Sequence, residues 1–265
     1  MDTTKHFALV TGASSGIGYE LAKLFAKDSF NLIIVGRDEA KLKRVAVVLE
    51  EHGVEVITIT ADLFEPKAAL DVYEQIKAKN IQVDVLVNDA GQGVYGKFID
   101  TDLDKELDII QLNISALLTL TKLYVREMVA RGSGKILNVA SVAGKVPGPY
   151  QAVYHGTKAF VHSFNEAVRA EIKDTPVTIT SLLPGPTDTD FFRKADMLDS
   201  KVVQDGELAD PADVAKDGYE AMIAGKDMVI SGFKNKLQVA MGNVTPDSLL
   251  AEQTGKQQEP VDDQS

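Results

Sequence analysis

Tyr154 and Lys158 stand four residues apart in the stretch Tyr154-His155-Gly156-Thr157-Lys158. On a helix that spacing puts a phenol and an ammonium on one face. A free tyrosine titrates near pH ~10, and a cation beside it stabilises the phenolate and lowers that value. Such a tyrosine gives a proton to a carbonyl oxygen, or takes one in the reverse direction. Ser141, closing a strand pattern upstream, offers a hydroxyl to the same oxygen. Asn113 lies between Leu112 and Ile114 in an apolar helical run, where its amide needs a backbone group or an ordered water as partner. Each has an ordinary explanation when taken alone, since tyrosine and lysine share this spacing in many helices by chance. His155, one step further round the helix, belongs beside the site or at the surface rather than as its base. The chain has four histidines and no cysteine, and their spacings give no metal site.

A second group of residues could hold a nucleotide. Thr11-Gly12-Ala13-Ser14-Ser15-Gly16-Ile17-Gly18 joins an apolar strand pattern to a helical one. Glycines allow the tight turn and a close approach to a pyrophosphate, and the following helix N-terminus favours an anion. Ser14 and Ser15 add hydroxyl donors, or act only as local hydrogen bonders. The second strand ends Val35-Gly36-Arg37-Asp38. An acidic residue at this point would accept from a ribose 2′-hydroxyl. Arg37 instead suits a 2′-phosphate by charge and by its forked donors, which favours NADP(H) and leaves NAD(H) as an option. The other reading makes Arg37 a solvated charge, with Asp38 on the ribose or capping the next helix. Asp62-Leu63 falls where an adenine would lie, and Asn88-Asp89-Ala90-Gly91 offers small residues for a ribose and nicotinamide. All these segments fall at successive carboxyl ends of strands, the edge where open α/β sheets bind ligands.

The elements that position these groups alternate along the chain. Strand patterns at 6–11, 31–36, 55–60, 83–88, 134–141, 177–183 and 228–231 separate helix patterns at 17–27, 39–52, 66–79, 103–131, 150–173 and 211–225. Runs such as Leu32-Ile33-Ile34-Val35 are apolar without alternation, as expected for strands covered on both faces of a parallel sheet. The pattern predicts a doubly wound α/β fold over residues 1–250 as one domain, with an extra helix near 234–241 and a polar, disordered tail over 251–265. With 28 basic against 39 acidic residues the net charge is −11 and no basic run stands out, so nucleic acid is not an expected partner. The start of the chain reads as having no leader, and no stretch reaches the ~20 apolar residues that span a bilayer. A cytoplasmic, soluble protein follows, with no membrane partner.

In this order, the glycine turn, Asn88-Asp89-Ala90-Gly91, Asn113, Ser141 and Tyr154-x-x-x-Lys158 resemble the short-chain dehydrogenase/reductase family over about residues 5–232. The resemblance implies a Rossmann domain with a seven-stranded parallel sheet and a catalytic set of Asn113, Ser141, Tyr154 and Lys158. Tyr154 would be the acid/base, Ser141 would orient the carbonyl, Lys158 would hold the nicotinamide ribose and Asn113 would anchor a water. Pro184-Gly185-Pro186-Thr187 resembles the segment that touches the nicotinamide carboxamide, with Thr187 or Thr189 as donor. Asp89 stands where a second asparagine is usual. Gly156 is expected to allow close packing or substrate approach. A homodimer or homotetramer is expected, although the extension beyond residue 232 puts the family's usual tetramer contacts in doubt.

Loops 92–98, 142–150 and 186–203 should surround the nicotinamide. Val94, Tyr95, Val146, Pro147, Tyr150, Phe191, Phe192, Met197 and Leu198 would form a mainly apolar pocket, with the third loop as a mobile lid. These features favour NADPH-dependent reduction of a hydrophobic ketone or aldehyde. The alternatives are a 3-oxoacyl-thioester reductase, which Arg193 and Lys194 keep open, and a non-catalytic NADP-binding regulator.

Overall fold

A computed structural model describes residues 6–242 and 244–261. Seven strands form one sheet: β1 (Phe7–Thr11), β2 (Asn31–Gly36), β3 (Val56–Thr60), β4 (Val85–Asn88), β5 (Lys135–Val139), β6 (Thr178–Leu183) and β7 (Met228–Ile230). They run parallel in the order β3-β2-β1-β4-β5-β6-β7. The order reverses between β1 and β4, so the carboxyl ends of those strands flank a crevice.

The unalternated apolar strands are explained by the helices on both faces. On one side α1 (Gly16–Lys27), α2 (Glu39–Glu50) and α9 (Pro211–Ile223) bury Leu21, Phe25, Leu42, Leu49, Val214 and Met222 against Ala8, Val10, Leu32 and Ile34. On the other, α3 (Ala68–Ala78) and α5 (Leu117–Arg131) bury Val72, Ile76, Leu120, Tyr124 and Met128 against Leu9, Ile33, Leu86 and Ile136. Phe25 meets Tyr219 edge-on at 5.0 Å and has no exposed surface. Truncating such a ring costs about 3–5 kcal/mol.

The helix pattern over 103–131 is one rod with a defect. α4 (Leu103–Ile110) passes through a π-helical turn, Gln111–Ala116, into α5. A π turn inserts an extra residue and is often found at functional sites; this one carries Asn113. α6 (Ala152–Glu171) follows a short 3₁₀ turn, Val142–Lys145, and α7 (Phe191–Lys194) and α8 (Lys201–Gln204) are single turns within and at the end of the loop at 186–203. Beneath its middle runs a buried polar seam. Asn88 Nδ2 donates to Thr121 Oγ1 (3.0 Å) and Asn138 Oδ1 (2.8 Å). Asn138 Nδ2 donates to Asn165 Oδ1 (2.6 Å), and Asn165 Nδ2 to Ser181 Oγ (2.8 Å). Asn88 therefore ties strands together from below, although the sequence placed it against the cofactor.

The carboxyl-terminal expectation is corrected. Residues 251–258 are not disordered but form most of α11 (Asp247–Gln258), which follows the expected extra helix α10 (Phe233–Gly242). Thr254 and Gln258 are buried, the Lys201 N–H donates to the Glu259 carbonyl (3.1 Å), and the Val261 N–H donates to the Asp199 carbonyl (2.8 Å). The segment lacks an apolar face of its own and is held by polar contacts to distant loops. Residues 1–5 and 262–265, on which the expectations of no leader and of a tail end partly rest, lie outside the described residues. Gly156 is exposed, and a Cβ there would meet nothing within 4 Å, so neither close packing nor substrate approach requires it.

Candidate active site

One cavity runs along the carboxyl ends of β1, β2, β4 and β5, from Arg37 and Asp62 to Tyr154 and Gln258. At its first end the glycine turn closes β1 onto α1. Gly12 has φ +72°, and a Cβ there would lie 2.8 Å from Asp89 Oδ2; at Gly18 the same oxygen would be 2.5 Å away. Only glycine fits both positions. Gly12, Ser14, Ser15, Gly16 and Ile17 line the cavity, while Gly18 lies behind it. Thr189 packs on Gly16, its methyl 3.0 Å from where a Cβ would stand.

Arg37 stacks on Phe64, its guanidinium carbon 4.8 Å from the ring centroid. Asp38 accepts from the Lys41 N–H (2.9 Å) as the N-cap of α2. Positive charge gathers at this end. Burial holds the Lys194 pKa below its usual value, and Arg37, Lys41 and Arg193 push the same way against Asp190. Sequence reasoning missed Lys41 and Phe64 and considered Lys194 only on the substrate side, because only the fold brings the loop at 186–203 to the end of β2. Asp62, Leu63, Ala90, Gly91, Pro184, Gly185, Thr187 and Thr189 also line the cavity. Thr187 donates to the Gly185 carbonyl (2.9 Å), and Thr189 Oγ1 accepts from the Phe191 N–H (3.3 Å).

At the other end, α6 presents Tyr154 and Lys158 on one face, with Lys158 Nζ 5.8 Å from the Tyr154 ring centroid. Lys158 is buried and donates to the Val139 carbonyl (2.9 Å). Ser141 caps the 3₁₀ turn by accepting from the Ala143 N–H (3.1 Å); its hydroxyl donates to the Pro184 carbonyl (3.4 Å) and sits close enough to the Tyr154 phenol to favour its ionised form. Asn113 Oδ1 accepts from the Gln92 N–H (3.0 Å), and its Nδ2 donates to the Gln92 carbonyl (2.9 Å) and Thr157 Oγ1 (3.0 Å). The partner of this buried amide is therefore a backbone group together with a threonine, behind the cavity wall.

The electrostatics correct one expectation. Burial raises the Tyr154 pKa to about 12, against the Ser141 hydrogen bond, so the phenol holds its proton firmly. Lys158 is drawn down to about 8 by burial, with the Asp89 carboxylate opposing. Asp89 is pushed up to about 7, again by burial first, although the Lys158 charge and a hydrogen bond from the Gly18 N–H favour its ionised form. In this site desolvation outweighs the charge partners that the sequence suggested.

On the substrate side Val146, Phe191, Phe192 and Met197 line the cavity. Phe191 packs on Tyr154 with ring centroids 5.1 Å apart. Val94 and Tyr95 face a neighbouring surface hollow instead, and Tyr150, with φ 66°, stacks on Tyr95 at 5.8 Å. The wall is completed by His155 and by residues that the sequence did not suggest: Gln151, Gln238, Thr254, Gln257 and Gln258. His155 is buried beside the site, its Nδ1 2.8 Å from the Val146 carbonyl. Among the described residues there is no cluster able to hold a metal ion and no helix long and apolar enough to cross a membrane.

Residues 6–198 match the family model described as short chain dehydrogenase. The chain is a short-chain dehydrogenase/reductase. It is 30% identical to dehydrogenase/reductase SDR family member 7B of Danio rerio, over 94% of this chain and 87% of that protein. It is 38% identical to a very-long-chain 3-oxoacyl-CoA reductase of Anas platyrhynchos, over 67% of this chain and 58% of that longer relative. A short-chain dehydrogenase from Sphingobium yanoikuyae, solved in complex with NADPH, superposes with a TM-score of 0.80 at 26% identity, covering 91% of this chain and 96% of that one. This short-chain dehydrogenase/reductase is thus an NAD(P)-dependent oxidoreductase of the kind acting on CH–OH and C=O groups, with the seven-stranded Rossmann sheet of its family.

Proposed function

We propose that this chain uses NADPH to reduce a hydrophobic ketone or aldehyde to an alcohol. The observation that carries the reading is the cluster of Ser141, Tyr154 and Lys158 at one end of a cavity whose other end is the glycine turn under Arg37 and Lys194. The cavity fits a nicotinamide dinucleotide: Gly12, Ser14, Ser15, Gly16 and Ile17 line one end of it, and cations gather at the end of β2. Ser14, Ser15 and the first N–H groups of α1 would hold the phosphates, Arg37 and Lys194 the 2′-phosphate, and Gly91, Lys158, Gly185 and Thr187 the nicotinamide half. When bound there, the nicotinamide would supply a hydride for the carbonyl carbon. Ser141 hydrogen-bonds the carbonyl oxygen and orients it. Tyr154, protonated at neutral pH, gives its Oη proton to that oxygen. The Lys158 ammonium stabilises the phenolate left behind. Asn113 holds the loop after β4 against α6 and so positions the pair.

Following NADPH oxidation across a panel of ketones and aldehydes tests the reading. Tyr154→Phe should lower kcat/KM by ~10²–10⁴-fold while NADPH binding persists; undiminished turnover would refute the assigned role. A second reading, reduction of 3-oxoacyl thioesters, draws on the 38%-identical relative. A strong preference for 3-oxoacyl thioesters over free ketones would replace the first reading with it. The exposed Leu103, Leu107 and Leu118 on α4 and α5 support the expectation of a homodimer or homotetramer.

A further inference from the structure

Among the described residues, two buried amide atoms at the substrate end of the cavity have no hydrogen-bond partner: Gln151 Nε2 and Gln258 Oε1. Their residues are 4% and 8% exposed, and both line the cavity. Buried polar groups are nearly always paired, because an unmet one costs about 1–3 kcal/mol. These two flank the proton donor. Gln151 Nε2 and Phe191 Cζ each lie 2.9 Å from the point where a Cβ on Gly93 would stand, and Phe191 packs on Tyr154. Gln258 Nε2 is 3.0 Å from Nε2 of His155, the residue after Tyr154.

The orientation of the Gln258 amide follows from its neighbour. His155 Nδ1 faces the Val146 carbonyl at 2.8 Å, so it carries the ring proton and Nε2 is the acceptor. Burial lowers the His155 pKa and keeps the ring neutral. The Gln258 amino group must then face the ring, which leaves Oε1 as the free acceptor. The backbone is fixed as well, since the Tyr95 hydroxyl donates to the Gln258 carbonyl (2.5 Å). The unpaired acceptor is thus held in place by α11 rather than swinging with an exposed chain.

We propose that Gln151 and Gln258 form a polar subsite for a hydroxyl group carried by the substrate in addition to the carbonyl that is reduced. A hydroxyl accepts from Gln151 Nε2 and donates to Gln258 Oε1, and a plain hydrocarbon does neither. The substrate class becomes a hydroxylated hydrophobic ketone, with the apolar body against Val146, Phe191 and Phe192. The inference rests on the ketone-reductase reading above and fails separately from it.

The test compares kcat/KM, with NADPH, for cyclic and aryl ketones against the same skeletons bearing one hydroxyl at successive distances from the carbonyl. The wild-type enzyme should prefer one hydroxylated member at least ~10-fold, a single hydrogen bond's worth of discrimination. In Gln151→Leu and in Gln258→Leu, separately, that preference should collapse through KM. Gln151→Leu leaves the contacts of α11 in place, so the inference stays testable should Gln258→Leu loosen the tail. Plain ketones reduced as well as all their hydroxylated partners would overturn the subsite and leave the reductase standing. Preference surviving in both variants would overturn it too, and loss in only one would overturn the pairing. Failure to reduce any member of any pair would remove the underlying reading, and the inference with it.

Discussion

The two ends of the cavity are built on different plans. The nucleotide end is made of short segments that each end a strand: the glycine turn after β1, Arg37 after β2, Asp62 after β3 and Ala90-Gly91 after β4. The substrate end is made of pieces distant in the chain, with Tyr95 and His155 both bound to Gln258, 163 and 103 residues away. Parallel pairing brings the first set to one edge as a consequence of the sheet. The second set meets only because α11 turns back over the loop at 186–203, where Ser200 and Pro260 form an antiparallel bridge. A site assembled by the sheet is local and rigid, and one assembled by a returning tail is separable from it.

Substitutions that strike one end alone give the sharpest test of that separation. Arg37→Ala should raise the Kd for NADPH ~10- to 100-fold by removing a charge-assisted contact, while NADH affinity and the ketone KM stay put. Equal losses for both nucleotides in titrations of nicotinamide fluorescence would break the assignment. Removal of the chain from Asp247 onward should do the reverse, raising the ketone KM roughly tenfold for ~1.4 kcal/mol of lost contacts with NADPH binding intact. Tyr95→Phe, which deletes only the hydroxyl held by Gln258, should move KM in the same direction by less.

Asp89 stands where the two ends meet, against the glycine turn and beside Lys158. Its carboxyl pKa is about 7 in the folded protein against ~3.9 unfolded. Folding therefore favours the protonated form: that contribution to stability is complete below the unfolded value and is lost as pH rises through about 7. Lys158, lowered to about 8, contributes oppositely, losing stability as pH falls from its unfolded value through the folded one. Asp89→Asn should flatten the fall in ligand-free melting temperature between mildly acidic and mildly alkaline pH. An unchanged slope would show that Asp89 ionises freely. Gly156→Ala touches neither end and should stabilise the fold by about 1 kcal/mol in denaturant melts, since its side chain would enter open space.

The same division explains what could be read in advance. Strand runs, glycine turn and the Tyr154–Lys158 spacing are local patterns, and the structure brings all of them to the sheet edge expected of them. The π turn was invisible, because Asn113 sits in an apolar helical pattern that conceals one inserted residue. The tail was misjudged for a physical reason. Its polar composition fits solvent as well as it fits Tyr95, His155 and Lys201, and only the partners decide. The tyrosine's titration was misjudged because a sequence shows the neighbouring charge but not the surrounding protein that desolvates both.

The chain of amides from Thr121 through Asn88, Asn138 and Asn165 to Ser181 acts as a ratchet pawl beneath the pocket floor. Sliding one central strand past its neighbour would unhook several of these bonds at once in a place water does not reach. Any movement of the loop at 186–203 or of the tail above would therefore leave the floor level.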